Sequence, residues 1–521
     1  MSNALINALK NPSLFDHHCE GFNVLETHIS WVILTGPFAY KIKKPMDFGF
    51  LNFTTLERRK HFCEEEFRLN QRLAPELYLE IVPIRGSEAN PQLNGEGEIF
   101  EYAIKMAQFP QEGLMDRMLD GGQMNSAHVD RLADIIANFH RQIAVAPASS
   151  EFGQPAQVFA PMQQNFDQIR PMLDDKALLI QLDQLEAWAQ TTFDRLQPVL
   201  AQRKAQGFIR ECHGDIHLGN ITYYKDDVVL FDCIEFNDEF RWIDVISDVA
   251  FLMMDLEDRK QSAFANRFFN RWLELSGDYD SVALLPFYKA YRAMVRAKIS
   301  LFMMNSPGLD EESKANLLNR YRNYADLAES CLTIPNRFAL VMHGYSGSGK
   351  TSISNQVVEE LGAIRLRSDI ERKRLAGLGE KDSSRASLNE GIYTPNATEA
   401  TYHRLETLAE QLLAAGFSVV VDAANLQQTQ RARFCTMIEN AGVPGVLLSC
   451  QADPETIRQW ITKRSEAGQD ASEATLEVFE NQLKSAEPLS EEELTHTLII
   501  KTSDEEEVSR LIARIKSRLG I

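Results

Sequence analysis

The stretch His213-Gly214-Asp215-Ile216-His217-Leu218-Gly219-Asn220, followed by Leu230-Phe231-Asp232, decides how the first part of this chain is read. It spells H-x-D-x-x-x-x-N and leads into an apolar run that ends in a carboxylate. Such side chains are hard oxygen ligands, which suit magnesium and not zinc. Two histidines and an aspartate so close together also raise a transition-metal hydrolase, but no third ligand cluster at useful spacing accompanies them. Transfer of a phosphoryl group needs this set for positioning and charge neutralisation. Asp215 would accept the proton of an acceptor hydroxyl, Asn220 would reach back to one metal ion and Asp232 would hold another. His213 would brace the loop.

Upstream, residues 29–34 and 38–43 read as strands around a Thr35-Gly36-Pro37 turn, a hairpin pattern. Phe38-Ala39-Tyr40-Lys41 places Lys41 near the end of the second strand, with Lys43 on the same strand face as a rival. Residues 54–73 have helical spacing, closed by Ala74-Pro75. Of Glu64, Glu65 and Glu66, only Glu66 shares the stripe of Phe62, Leu69 and Leu73. A carboxylate on that inward stripe needs a cation, which Lys41 would supply; a solvated acidic helix face is the plainer reading of the trio. Strands near 79–85 and 98–106 complete a small lobe, and helical periodicity dominates 126–205 and 243–332.

Near residues 333–336 the pattern resets. Phe338 to His343 forms an apolar strand leading into Gly344-Tyr345-Ser346-Gly347-Ser348-Gly349-Lys350-Thr351 and then a helix. This is a Walker A loop in its proper setting, strand before and helix after. The backbone of Gly344, Ser346, Gly347, Ser348 and Gly349 would cradle phosphates at the helix N-terminus. Lys350 would bridge the outer phosphates and Thr351 would ligate magnesium. Alternating strands and helices follow, which argues for a mostly parallel sheet. Val419-Val420-Val421-Asp422 ends a buried strand in a carboxylate, so Asp422 would join the magnesium shell.

With 521 residues, two or three domains are expected. Hydrophobic content of 44% and charged content of 25% are those of a globular protein. Seven scattered cysteines, with no CxxC pair, point to a reducing compartment and against a disulfide framework or structural zinc. No signal-peptide pattern and no membrane-length apolar run is visible, so the expected location is the cytoplasm and no membrane partner is expected. A net charge of −20 without a basic stripe argues against nucleic acid.

Residues 1–332 resemble the aminoglycoside phosphotransferase and choline kinase group, on Lys41, Glu66, Asp215, Asn220, Asp232 and the segment Leu132 to His140. The resemblance implies an α+β protein-kinase-like fold, with a small lobe of about 1–106 and a large lobe of about 107–332. Thr27-His28-Ile29-Ser30 stands where that group's relatives among protein kinases have a glycine-rich loop. Cys233-Ile234-Glu235 follows Asp232 in place of Phe-Gly, which favours a small-molecule acceptor over a protein. Residues 337–521 resemble small P-loop kinases, through the Walker A loop and Ser368-Asp369-Ile370-Glu371-Arg372. There the likeness implies Asp369 as base, Arg372 as substrate contact and Arg464 as a lid residue closing on ATP; Asp369 also suits a helix N-cap. The whole resembles bacterial fusions of an aminoglycoside phosphotransferase-like domain with an α/β P-loop ATP-binding domain. What it implies is ATP, magnesium and an unidentified small-molecule hydroxyl acceptor. Two rivals stay open: a P-loop nucleotide sensor that regulates the first domain, and a polynucleotide or nucleoside kinase fused to a degenerate kinase-like scaffold.

Overall fold

The computed structural model describes residues 3–19, 21–49, 51–306, 308–334, 337–380, 382, 391–467 and 475–521, with the backbone alone for 3 and 464–467. The chain forms two compact units, Met1–Asp255 with Phe287–Ala325, and Leu256–Pro286 with Asp326–Ile521. The segment 256–286, which lies within the first sequence-derived range of 1–332, therefore clusters with the second unit.

In the first unit, β1 (Asn23–Glu26), β2 (Ser30–Leu34), β3 (Phe38–Lys43), β4 (Tyr78–Ser87), β5 (Asn90–Leu93) and β6 (Ile99–Ala107) build one sheet. Its order is β1-β2-β3-β6-β4-β5, and every paired neighbour is antiparallel. The period-2 geometry of β3 positions the site. Tyr40 and Ile42 sink into a core with Leu5, Leu9, Trp31 and Ile33 on one face. Lys41 and Lys43 therefore share the other face, where both reach Glu66 on the helix Leu56–Asn70. That helix starts at Thr55, whose hydroxyl accepts the Arg58 N–H.

The expected helical region resolves into Ser126–Gln142, Pro155–Ile169 and Lys176–Ala205. Between them and the later helices lie two short antiparallel strand pairs, β7 (Ile209–Glu211) with β10 (Trp242–Asp244), and the hairpin β8 (Ile221–Tyr224) with β9 (Asp227–Leu230). The H-x-D-x-x-x-x-N loop spans the gap between β7 and β8, and Asp232 follows β9.

In the second unit, β11 (Ala339–His343), β12 (Ile364–Arg367), β13 (Val419–Asp422), β14 (Gly445–Gln451) and β15 (Thr497–Lys501) form a wholly parallel sheet. The order β12-β13-β11-β14-β15 puts β11 at the centre, so the glycine-rich loop leaves the middle of the sheet. Leu340, Met342, Val420 and Leu448 form the core with Ile353 and Val357 of the helix Lys350–Leu361. The helix Ser262–Ser276 covers the edge strand β12. Its Asn270 accepts the Arg365 N–H at 2.7 Å and donates to the Ala363 carbonyl at 3.0 Å, as a further strand would. Among the described residues no helix is long and apolar enough to cross a membrane.

Candidate active sites

In the first unit, β3, the helix Leu56–Asn70 and the loop after β9 bring five charged groups together. Lys41 Nζ lies 2.8 Å from Glu66 Oε1 and 2.6 Å from Asp232 Oδ1. Lys43 Nζ lies 2.6 Å from Glu66 Oε2 and also pairs with Glu235. Both lysines thus use Glu66, but differently: Lys43 is 1% exposed and turned inward, whereas Lys41 is 13% exposed and borders the cleft. Burial opposes the charge on Lys41, yet Asp232 and Glu66 hold its ammonium well above the usual lysine range. Glu66 is likewise held low against its burial by Lys41 and Lys43. Burial pushes Glu235 up. Two ammoniums face three carboxylates, a balance that leaves room for a divalent cation at the outermost of them.

That outermost group is Asp232, whose side chain is 41% exposed and whose φ is +66°. A non-glycine residue is held in the left-handed region only by its surroundings; here Asn70 Oδ1 accepts the next N–H, from Cys233, at 3.0 Å. Asn220 Nδ2 donates to Asp215 Oδ2 and to the Asp215 carbonyl, both at 3.0 Å. His217 Nε2 lies 3.5 Å from Asp215 Oδ2. Burial works against the ionised Asp215, but His217, Arg296 and His213 hold it well below the usual carboxylate range. Asp215, Asp232 and Lys41 line one cleft of about 460 Å³.

The loop is braced from behind. His213 Nδ1 lies 3.3 Å from the Asp215 backbone nitrogen and Nε2 lies 2.9 Å from the Phe231 carbonyl oxygen. Asp248 accepts the N–H groups of His213 and Gly214, each at 2.9 Å, and Asp255 accepts that of Leu218 at 2.9 Å. Asp248, Asp255 and the Lys43–Glu235 pair are the residues that reading the sequence missed. A signal existed for the first two: both are aspartates inside the apolar helix Val245–Asp258, and a buried carboxylate requires donors.

In the second unit, Ser346, Gly347, Gly349, Lys350 and Thr351 line a cleft of about 490 Å³ with Asp369 and Asp422. Gly349, with φ +86°, precedes the helix Lys350–Leu361 and provides no side-chain cap, so the first turn keeps its N–H groups for another acceptor. Lys350 Nζ donates to the carbonyls of Gly344 (2.9 Å) and Tyr345 (2.7 Å). Ser348 is fully buried and its Oγ has no hydrogen-bond partner. Asp422 Oδ2 accepts from Ser354 Oγ at 2.9 Å. Asp369 sits in the first turn of the helix Ser368–Leu375, whose N-cap position is Arg367. Arg372 is not among the cleft-lining residues; its guanidinium donates to the Ile392 carbonyl (3.0 Å) and Thr398 Oγ1 (3.1 Å). The side chain of Arg464 lies outside the described residues. Sequence reading missed Gln482, which accepts the Ser346 N–H at 2.8 Å and donates to Ser346 Oγ at 3.0 Å, and Trp460, which lines the cleft.

These residues fit ATP with magnesium. Anion-seeking N–H groups at a helix start and a carboxylate beside Thr351 suit a metal–triphosphate in the second unit. Asn220 and the exposed Asp232 suit the metal in the first. Bound magnesium neutralises the charge on the transferring phosphates.

Comparison with known proteins finds two family matches in series along the chain, the first of which runs past the unit boundary at residue 255. Residues 52–285 match the model of the phosphotransferase enzyme family, and residues 340–489 match that of an AAA domain. An uncharacterized protein of Mycobacterium tuberculosis is 28% identical over 454 residues, 86% of this chain and 88% of the relative, and one of Mycobacterium bovis matches equally. A solved amicoumacin kinase is 14% identical, covering 63% of this chain and 96% of its own, with a TM-score of 0.40. A gluconokinase of Sinorhizobium meliloti is 17% identical, covering 36% and 95%, with a TM-score of 0.26. The chain thus carries, in series, a kinase-like domain that matches the phosphotransferase enzyme family over 52–285 and a P-loop domain that matches the AAA domain over 340–489.

Proposed function

We propose that the first unit transfers the γ-phosphoryl group of ATP to the hydroxyl of a small molecule, and that the second unit is a P-loop kinase using ATP and magnesium in its own right. In the first reaction the hydroxyl oxygen bonds to the γ-phosphorus, the bond to the ADP oxygen breaks, and the hydroxyl proton passes to Asp215. Asp215 is held strongly ionised and so acts chiefly by orienting the hydroxyl, with little basicity to offer. Lys41, fixed by Glu66, would hold the phosphates; Asn220 and Asp232 would hold the metal. In the second unit Lys350 would leave its loop carbonyls for the phosphates, Thr351 and Asp422 would hold magnesium, and Asp369 would face the acceptor.

The observation that carries this reading is the Glu66–Lys41–Asp232 chain of contacts, whose Lys41 and Asp232 border the same cleft as Asp215. The test uses the full chain with ATP and a metabolite library. Asp215→Ala should abolish acceptor-dependent ADP release by the first unit and spare turnover by the second; Lys350→Ala should do the reverse. An Asp215→Ala chain that keeps the first activity, or a Lys350→Ala chain that keeps the second, counts against the assignment.

A second reading, a P-loop sensor, is favoured by Arg372, whose donors are directed to Ile392 and Thr398 and not to the cleft. In the Asp215→Ala chain, a sensor would bind ATP without turning it over in the presence of any acceptor.

A further inference from the structure

We infer that the acceptor taken by the first unit is a carboxylate-bearing hydroxyl compound with an apolar or aromatic body. This rests on reading the cleft as a phosphoryl-acceptor site.

Two helix faces form the acceptor side. Pro161, Gln164, Asn165 and Gln168 fall at helical spacing on Pro155–Ile169, and Val295, Lys298, Ile299 and Phe302 do so on Leu285–Met304. Phe48, Ile299 and Phe302 are large apolar side chains left exposed, and all three border this one cleft. Phe236, Phe240, Phe251 and Tyr291 add aromatic lining. Apolar groups gathered around a cleft mouth mark a binding surface for a partner with an apolar body.

The charges decide the class. Every carboxylate lining the cleft already has a partner: Asp232 has Lys41, Glu235 has Lys43, and Asp215 has Asn220 and His217. Among the cations, Lys41 is paired, Arg292 donates to Ser247 Oγ and the Gly214 carbonyl, and Arg296 interacts with Tyr324 and Asp215. Lys298 remains: among the described residues no carboxylate pairs with it, and burial lowers its pKa to about 8. Asn165 is 1% exposed, lines the cleft, and its Nδ2 has no acceptor. A buried amide donor without an acceptor is rare unless a ligand supplies one. One unpaired ammonium and one unpaired amide N–H call for a singly charged acceptor of hydrogen bonds, which is a carboxylate; with the charge on Asp232 given to the metal, a cationic acceptor would find no free counter-charge.

The test is calorimetric binding to the full chain in the presence of ADP and magnesium, with two near-isosteric phenols, para-hydroxyphenylacetate and tyramine. The carboxylate probe should bind at least about tenfold more tightly than the amine, the effect of one well-placed ion pair. Lys298→Gln should remove that preference and Lys298→Arg should keep it. Equal or tighter binding of tyramine, binding of neither probe, or a preference that survives Lys298→Gln overturns the inference. Because no turnover is needed, these outcomes are independent of the Asp215→Ala experiment, whose failure would sink the transfer reading itself.

Discussion

Lys41 Nζ stands 2.8 Å from Glu66 Oε1, while the other oxygen of that carboxylate is taken, at 2.6 Å, by Lys43. One glutamate therefore serves two lysines of one strand, and their exposure separates their roles. Lys41→Met should lower acceptor-dependent turnover roughly 10²–10³-fold, the scale of losing one preorganised charge, with little change in unfolding temperature. Lys43→Met should destabilise the first unit by about 3–5 kcal/mol, because it strands the buried Glu235. Steady-state kinetics and denaturant titration on both variants check this; a stability loss on Lys41 alone would reverse the roles.

Asp248 holds the loop that presents Asp215, through two backbone N–H groups. Asp248→Asn keeps the shape but turns an amide donor toward one of them, at a cost of about 1–3 kcal/mol. Burial opposes the charge on Asp248, but His140, His213 and Arg292 lower its pKa overall. A folded-state pKa below the ordinary value means the contribution is present above that value and lost as pH falls through the lowered one. The variant should therefore differ from the parent most at neutral pH and converge with it in strong acid, as read by denaturant titration across pH.

Much of this was legible because the chemistry is local in sequence. Asp215 and Asn220 sit five residues apart, Gly344 to Thr351 form one uninterrupted loop, and Glu66 follows from helical spacing alone. What escaped depends on pairing across long separations. Spacing put Lys43 on the same face as Lys41, but only the packing of Tyr40 and Ile42 against Leu5 and Leu9, with Glu235 arriving 192 residues later, tells the two apart. The boundary of the second unit was hidden for the same reason. Its helix Ser262–Ser276 continues a helical run in sequence, yet it docks on β12 through Asn270, some 95 residues from Arg365. Fold class came through because strand and helix periods are local signals; the limits of a compact unit are not.

Gly344 is a position where any side chain collides with backbone. A Cβ there would lie 2.5 Å from the Cys450 carbonyl oxygen and 2.8 Å from Ser348 Oγ, at a φ of +145°. Cys450 belongs to β14, a hydrogen-bonded neighbour of β11, so the obstacle cannot swing aside. Gly344→Ala should cost about 1–3 kcal/mol in the second unit and weaken nucleotide binding, while leaving Asp215-dependent turnover intact. Fluorescent-nucleotide titration and a thermal melt check it.

Glu274 accepts the Arg365 guanidinium at 2.7–2.8 Å in a buried setting beside Arg367. Glu274→Ala leaves a buried guanidinium unpaired and should cost the second unit about 3–5 kcal/mol. For the same reason a fragment of residues 337–521 should be less stable than the P-loop unit in the full chain, since it lacks both Glu274 and Asn270. Hydrogen exchange at β12 in the fragment and the full chain measures the difference.

Lys298 makes the anion preference depend on pH in a definite direction. Burial lowers its pKa to about 8, so the ammonium is present below that value and lost as pH rises through it. The folded chain then releases a proton that the unfolded chain still holds, so this lysine's contribution to stability increases with pH between about 8 and the ordinary lysine range. Binding moves the opposite way. The affinity for para-hydroxyphenylacetate should be flat below about pH 8 and fall above it, whereas that of Lys298→Arg should stay level. Among the other groups facing the cleft, Asp215 is held low, and Lys41, Tyr291 and Arg296 are raised, so these do not titrate in that window. A fall of equal size in Lys298→Arg would assign the titration to another group and detach the anion from Lys298.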